Sequence, residues 1–116
     1  MIEQLPVSHG ALLGFEVTGE VTRSDYDVLV PAVQAKVDEF GSVRLMLDLH
    51  DFESEKAEAW GADLRFGHEY HDRIERLAIV GSERWQEWLT HLARPFYCRE
   101  ARFFESRTEA WVWLSS

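Results

Sequence analysis

Residues 43–60 read VRLMLDLHDFESEKAEAW, and the way this stretch divides decides the fold. Its first seven residues form an apolar run broken only by Arg44 and Asp48. The run is too short for a helix and has the character of a strand covered on both faces in a parallel sheet. From Asp48 on the chain turns polar: Asp48, His50, Asp51 and Glu53 lead to Ser54, after which the pattern predicts a helix over about residues 55–72. Ser54 reads as the N-cap of that helix. Its hydroxyl would accept from a free backbone N–H, while Glu55 and Glu58 in the first turn complement the helix dipole.

Outward from this stretch, strand-like and helix-like patterns alternate. Residues 1–7 suit a short edge strand, and ALLGFEV (11–17) is a stronger one. In TRSDYDVLVPAVQAKVDEFG (22–41), Thr22 and Asp25 have the spacing of a capping box, and Gly41 stands where a helix end favours a left-handed residue. Between them Tyr26, Leu29, Val30, Val33, Val37 and Phe40 recur every three or four positions as one apolar stripe. Pro31 lacks an N–H and disfavours helical geometry at Val30, so a kink or an irregular first turn is expected there. LAIV (77–80), closed by Gly81, reads as a second buried strand. Residues 83–93 carry a helical stripe of Trp85, Leu89 and Leu92 ended by Pro95; residues 101–104 form the last strand, and 108–114 the last helix with Thr108 as its cap. The expectation is one small α/β domain over residues 1–116: a four- to five-stranded mixed sheet flanked by about four helices. Ligands of such open sheets bind outside the carboxyl ends of the strands, here residues 48–55, 81–85 and 105–108.

Charge narrows the range of partners. Acidic residues outnumber basic ones 21 to 12, a net charge of -9, which opposes phosphate-rich nucleic acid and anionic membrane surfaces and favours a partner with a basic patch. The single Cys98 cannot form an internal disulfide, the N-terminus has no basic segment followed by an apolar core, and no apolar run approaches the roughly 20 residues of a membrane span. A cytoplasmic protein is expected.

Candidate chemistry is sparse. His68 and His71 share a helical face, with His50, Asp48 and Asp51 at a strand end, but the pair has no third ligand of defined position, so no metal is assigned. Asp48, Asp51, Glu53, Asp63 and His68 supply the residue types for acid–base work without a spacing that pairs them. Gly10, Gly14 and Gly19 do not make a phosphate-cradling loop, and no cofactor is expected. The tryptophans are more informative: Trp111 fits an inner face with Ala110 and Leu114, which turns Trp113 outward, and Trp88 is offset from the stripe of Trp85. Outward aromatics on an acidic surface suit a protein contact or a small apolar pocket.

Four segments carry a resemblance to a known group: VTGEVTRSDYDVLVPAV with its Asp25, Tyr26 and Pro31, VRLMLDL, AEAWGADLRFGHEYHDRIERLAIVG, and the closing FFESRTEAWVWL. Together they make the chain resemble the small bacterial SpoIIAA-like proteins, whose fold is shared with the STAS domains of anti-sigma factor antagonists. The resemblance implies a four- or five-stranded mixed sheet and a non-enzymatic regulatory module. In STAS antagonists an LDL-like strand precedes an Asp-Ser-Ser-Gly-like motif at a helix N-terminus, where a hydroxyl is phosphorylated. Here Glu53 and Ser54 stand for the Asp-Ser pair, Glu55 replaces the second hydroxyl residue, and no glycine comes after it. The expected function is contact with a protein partner, or with a second copy, through Asp48, His50, Asp51, Glu53, Ser54 and Trp60. The alternatives are a small apolar or amphipathic ligand held between the second and third predicted helices, with His68, Tyr70, Trp85, Trp88 and Trp113 as pocket or contact residues, and a hydrolase or isomerase using carboxylate and histidine.

Overall fold

The apolar runs pair into a mixed sheet wherever their spacing allows. In the computed structural model, which describes residues 1–6, 8–56, 58, 65–66, 69–70, 72–81 and 100–116, seven strands are seen among the described residues. They are β1 (Ile2–Gln4), β2 (Leu12–Val17), β3 (Gly19–Val21), β4 (Val43–Asp48), β5 (Phe52–Glu55), β6 (Ile74–Val80) and β7 (Ala101–Phe104). Five form the main sheet in the order β1-β2-β4-β6-β7, antiparallel only between β1 and β2. The parallel strands β2, β4, β6 and β7 therefore end on one side of the molecule. Beyond that side β2 and β4 continue into a second, two-stranded parallel sheet, β3 with β5. Gly19 makes the bend possible with a φ of 61°, and its N–H donates to the Asp51 carbonyl at 2.9 Å.

Period-two alternation assigns the two faces of the main sheet. Leu13, Phe15 and Val17 of β2, Val43, Leu45 and Leu47 of β4, and Leu77 and Ile79 of β6 enter one core with Leu29 and Val33 of α1 (Tyr26–Phe40). The opposite phase, Met46, Ala78 and Val80, packs with Leu5 against Ala110 and Leu114 of α2 (Arg107–Ser115). The capping box before α1 is present, and Gly41 ends the helix at φ 82° with its N–H on the Val37 carbonyl at 2.8 Å. A 3-10 turn, Arg23–Asp25, precedes α1, and the helix runs unbroken through Pro31, so the irregular turn lies ahead of the helix and not at the proline where it was expected.

The short α2 is held from both ends. Ser106, not Thr108, caps its start, accepting from the Glu109 N–H at 3.2 Å. At its other end Arg44 Nη1 donates to the Leu114 carbonyl at 2.6 Å, and Arg76 Nη1 to the Trp113 carbonyl at 2.8 Å. These arginines are register partners on β4 and β6, so two cations meet the negative end of the helix dipole together.

Two further expectations need correction. The described residues hold two α-helices rather than about four; most of the predicted helix over 55–72 and all of that over 83–93 fall outside the described residues, although Glu58, Arg65–Phe66 and Glu69–Tyr70 are helical. Ser54 is not a helix cap. It lies within β5, because the backbone of this acidic segment finds a partner in β3 and satisfies its hydrogen bonds as a strand. No helix among the described residues is long and apolar enough to cross a membrane.

Candidate functional site

The carboxyl ends of the parallel strands bring together a charged group that apolar patterning alone would not place there. Asp48, the last residue of β4, is buried at 4% exposure, and its register partner on β2 is Glu16. Two carboxylates side by side on neighbouring strands repel each other unless a cation lies between them. Arg107, the first residue of α2, provides it: its Nε donates to Asp48 Oδ2 and its Nη2 to Glu16 Oε2 at 2.8 Å. His50 closes the other side. Its ring Nδ1 lies 2.7 Å from Asp48 Oδ1, and its backbone N–H donates to the same oxygen at 3.0 Å.

Burial by itself would raise the Asp48 carboxyl, but the His50 N–H, the Arg107 guanidinium and the His50 ring outweigh it and hold the group below its ordinary value of 3.8. The same contact with Asp48, reinforced by Glu16, raises Arg107 against the opposing effect of its own partial burial. Asp48 is thus an anion at neutral pH, and its oxygens are occupied. That suits it to anchor the chain rather than to exchange a proton. What it anchors is the turn that leads from β4 through His50 and Asp51 into β5.

The β3–β5 ribbon beyond that anchor is acidic on its exposed side. Glu20, Asp51 and Glu53 are exposed, and Lys56 lies 3.7 Å from Glu20. Ser54 is half-buried, and its Oγ donates to Glu20 Oε2 at 3.4 Å. A phosphate on Ser54 would face that carboxylate with Glu53 next in the chain, so the local charge opposes the modification.

Of the residues singled out from sequence, Asp48, His50, Asp51, Glu53 and Ser54 come together at this end of the sheet. Trp60, His68, His71, Trp85 and Trp88 lie outside the described residues, as does Cys98. Tyr70 is buried and turned to α1, its hydroxyl donating to Gln34 Oε1 at 2.6 Å and its ring 5.0 Å from that of Phe66. Trp113 is not turned outward. It is half-buried, 5.6 Å from the Phe104 ring, with the Arg76 and Arg102 guanidinium groups 5.2 and 5.3 Å from its own ring. Among the described residues no group of three His, Cys, Asp or Glu side chains is placed to hold a metal ion. Sequence reasoning missed Glu16 and Arg107. The available signal was Glu16 itself, a lone acid in the otherwise apolar strand LLGFEV.

Comparison with known proteins agrees with this architecture. The family model described as SpoIIAA-like matches residues 12–115. A solved structure similar to this chain is an uncharacterised protein of Shewanella loihica with a SpoIIAA-like fold. The two are 27% identical with a TM-score of 0.75, over 98% of this chain and 90% of that one. A search of curated proteins found no match.

Proposed function

The chain belongs to the SpoIIAA-like family, and from that premise we propose that it is a non-enzymatic regulatory module that binds another protein through the acidic β3–β5 ribbon. The family is in general one of regulatory modules that engage protein partners. The observation that carries the reading to this surface is the anchoring of Asp48. A buried carboxylate tied to Arg107 and to both the ring and the backbone of His50 fixes the turn that presents Asp51 and Glu53. A surface held in place loses less entropy on binding than a loose loop. The exposed acids favour a partner with a basic patch and give an association that salt weakens.

The test is a photo-crosslinking residue placed at position 53 in the protein expressed in its own host, with the same residue at exposed Val28 on α1 as the control. A discrete adduct with a second protein at position 53, absent at position 28 and reduced at least ten-fold by Asp51→Lys, is the expected outcome. An adduct of twice the chain's mass would identify a second copy as the partner. If position 53 gives no adduct, or the same adducts as position 28, the reading is wrong.

A further inference from the structure

The face of the sheet opposite α1 holds a cavity in which the acidic ribbon has no part. It has a volume of about 460 Å³ and lies between α2 and the chain after β1, walled by Leu5, Pro6, Met46, Trp111 and Val112. Gly14 lies against that wall: a Cβ there would stand 3.2 Å from Met46 Cε, 3.4 Å from Leu5 Cδ1 and 3.5 Å from Trp111 Cζ3. The cavity is open to the surface along Pro6 and Val112, and its size falls within the roughly 300–1,000 Å³ of small-molecule sites, which combine apolar walls with a few placed polar groups. This cavity has that composition, because its remaining lining residues are Arg107 and Thr108 in the first turn of α2.

The charge around those two residues selects the ligand. Arg107 spends Nε on Asp48 and Nη2 on Glu16, so its Nη1 is left to donate, and among the described residues the Thr108 hydroxyl has no hydrogen-bond partner. The polar end of the cavity therefore offers hydrogen-bond donors. It does not offer net positive charge, since Glu16 and Asp48 together outnumber the one guanidinium. A ligand carboxylate would be a third acid on one arginine, and a neutral acceptor would not meet that repulsion.

We propose that this cavity binds a neutral, mainly apolar small molecule with a hydrogen-bond acceptor at one end, the acceptor facing Arg107 and Thr108 and the apolar body lying against Met46 and Trp111. The site is on the other face of the sheet from α1 and does not depend on the β3–β5 ribbon. Its existence can be tested whether or not the protein-binding reading holds.

The probes are 1-octanol and octanoate, titrated separately into the full-length protein at neutral pH and followed by assigned amide and indole shifts in 1H–15N NMR. The expected result is saturable binding of octanol with the largest shifts at Leu5, Met46, Thr108 and Trp111, and octanoate at least five-fold weaker. Val112 lines the cavity yet is 66% exposed, so Val112→Trp narrows the mouth with little cost to the fold and should weaken octanol at least ten-fold. Val112→Ala, which leaves the mouth open, should stay within two-fold of wild type and guards against a folding artefact. Shifts centred elsewhere, octanoate binding as tightly as octanol, or octanol binding unchanged by Val112→Trp would each overturn the proposal.

Discussion

At the scale of single residues, the decisive one is Asp48. Its carboxylate is buried and accepts from three donors on two sides, and removing the charge leaves those donors with a weaker acceptor. Asp48→Asn keeps the shape but cannot accept at both oxygens, and its amide nitrogen meets either Arg107 or His50 with a donor facing a donor. A buried group left unsatisfied costs about 1–3 kcal/mol. Because Arg107 keeps Glu16 and half-exposed surroundings, the loss should fall in the lower part of that range, near 1–2 kcal/mol. Urea unfolding followed by tryptophan fluorescence measures it, and a change below 0.5 kcal/mol would show that the network is incidental. Half of this constellation was legible in the sequence. Asp48 and His50 stand two apart at the end of an apolar run, so their contact is local. Glu16 and Arg107 are 32 and 59 positions from Asp48, and only the parallel register of β2 with β4 and the start of α2 bring them together. No spacing rule reaches that far without the strand order.

At the scale of elements, legibility followed how much apolar surface each element buries. The central strands β2, β4 and β6 declare themselves through apolar runs and α1 through a stripe, while Thr22 caps the 3-10 turn that leads into α1 and Gly41 ends the helix. β3 and β5 bury little beyond Val21 and Phe52, and the sequence FESE has the acidity of a loop or a helix start. They are strands because each supplies the other's backbone partners, a tertiary fact that propensity does not encode. The helix α2 shows the same dependence on context. Nine residues do not make a stable helix in water, so its order comes from docking on Met46, Ala78 and Val80 and from the arginines at its end. Arg76 contributes twice, through the Trp113 carbonyl and through its position 5.2 Å from the Trp113 ring. Arg76→Gln removes the cation from both. A stability loss of about 1–2 kcal/mol is expected, the sum of a charged hydrogen bond at a helix end and a partly exposed cation–π contact. Hydrogen exchange distinguishes this local role from general destabilisation: amides of α2 should lose protection while those of β4 keep theirs. Equal loss in both would mean that Arg76 supports the sheet and not the helix.

At the scale of the whole molecule, the perturbed groups set limits on stability at both ends of the pH range. Asp48 and Asp25 have folded values below 3.8; in each, burial pulls upward and is outweighed, at Asp25 by the Thr22 backbone N–H and the N-terminal amine. A carboxyl depressed by folding adds stability that is fully present above its unfolded value, and that stability is lost as pH falls through the folded one. Tyr70 behaves in the opposite way. Burial, then Glu69 and Asp38, raise its hydroxyl above 10.0, and in its neutral form it donates to Gln34. Its contribution is complete below about pH 10 and disappears as pH rises through the folded value. As far as these three groups act, stability should be level between about pH 5 and 9 and fall on either side. Asp48 and Tyr70 report on different parts of the molecule, because Asp48 ties the sheet to α2 and Tyr70 ties residues 69–70 to α1. Asp48→Asn should therefore make the acid limb shallower and leave the alkaline limb unchanged, while Tyr70→Phe should do the reverse. Urea midpoints measured at half-unit steps from pH 3 to 11 decide it, and a Tyr70→Phe profile that keeps its full alkaline fall would show that other groups set that limit.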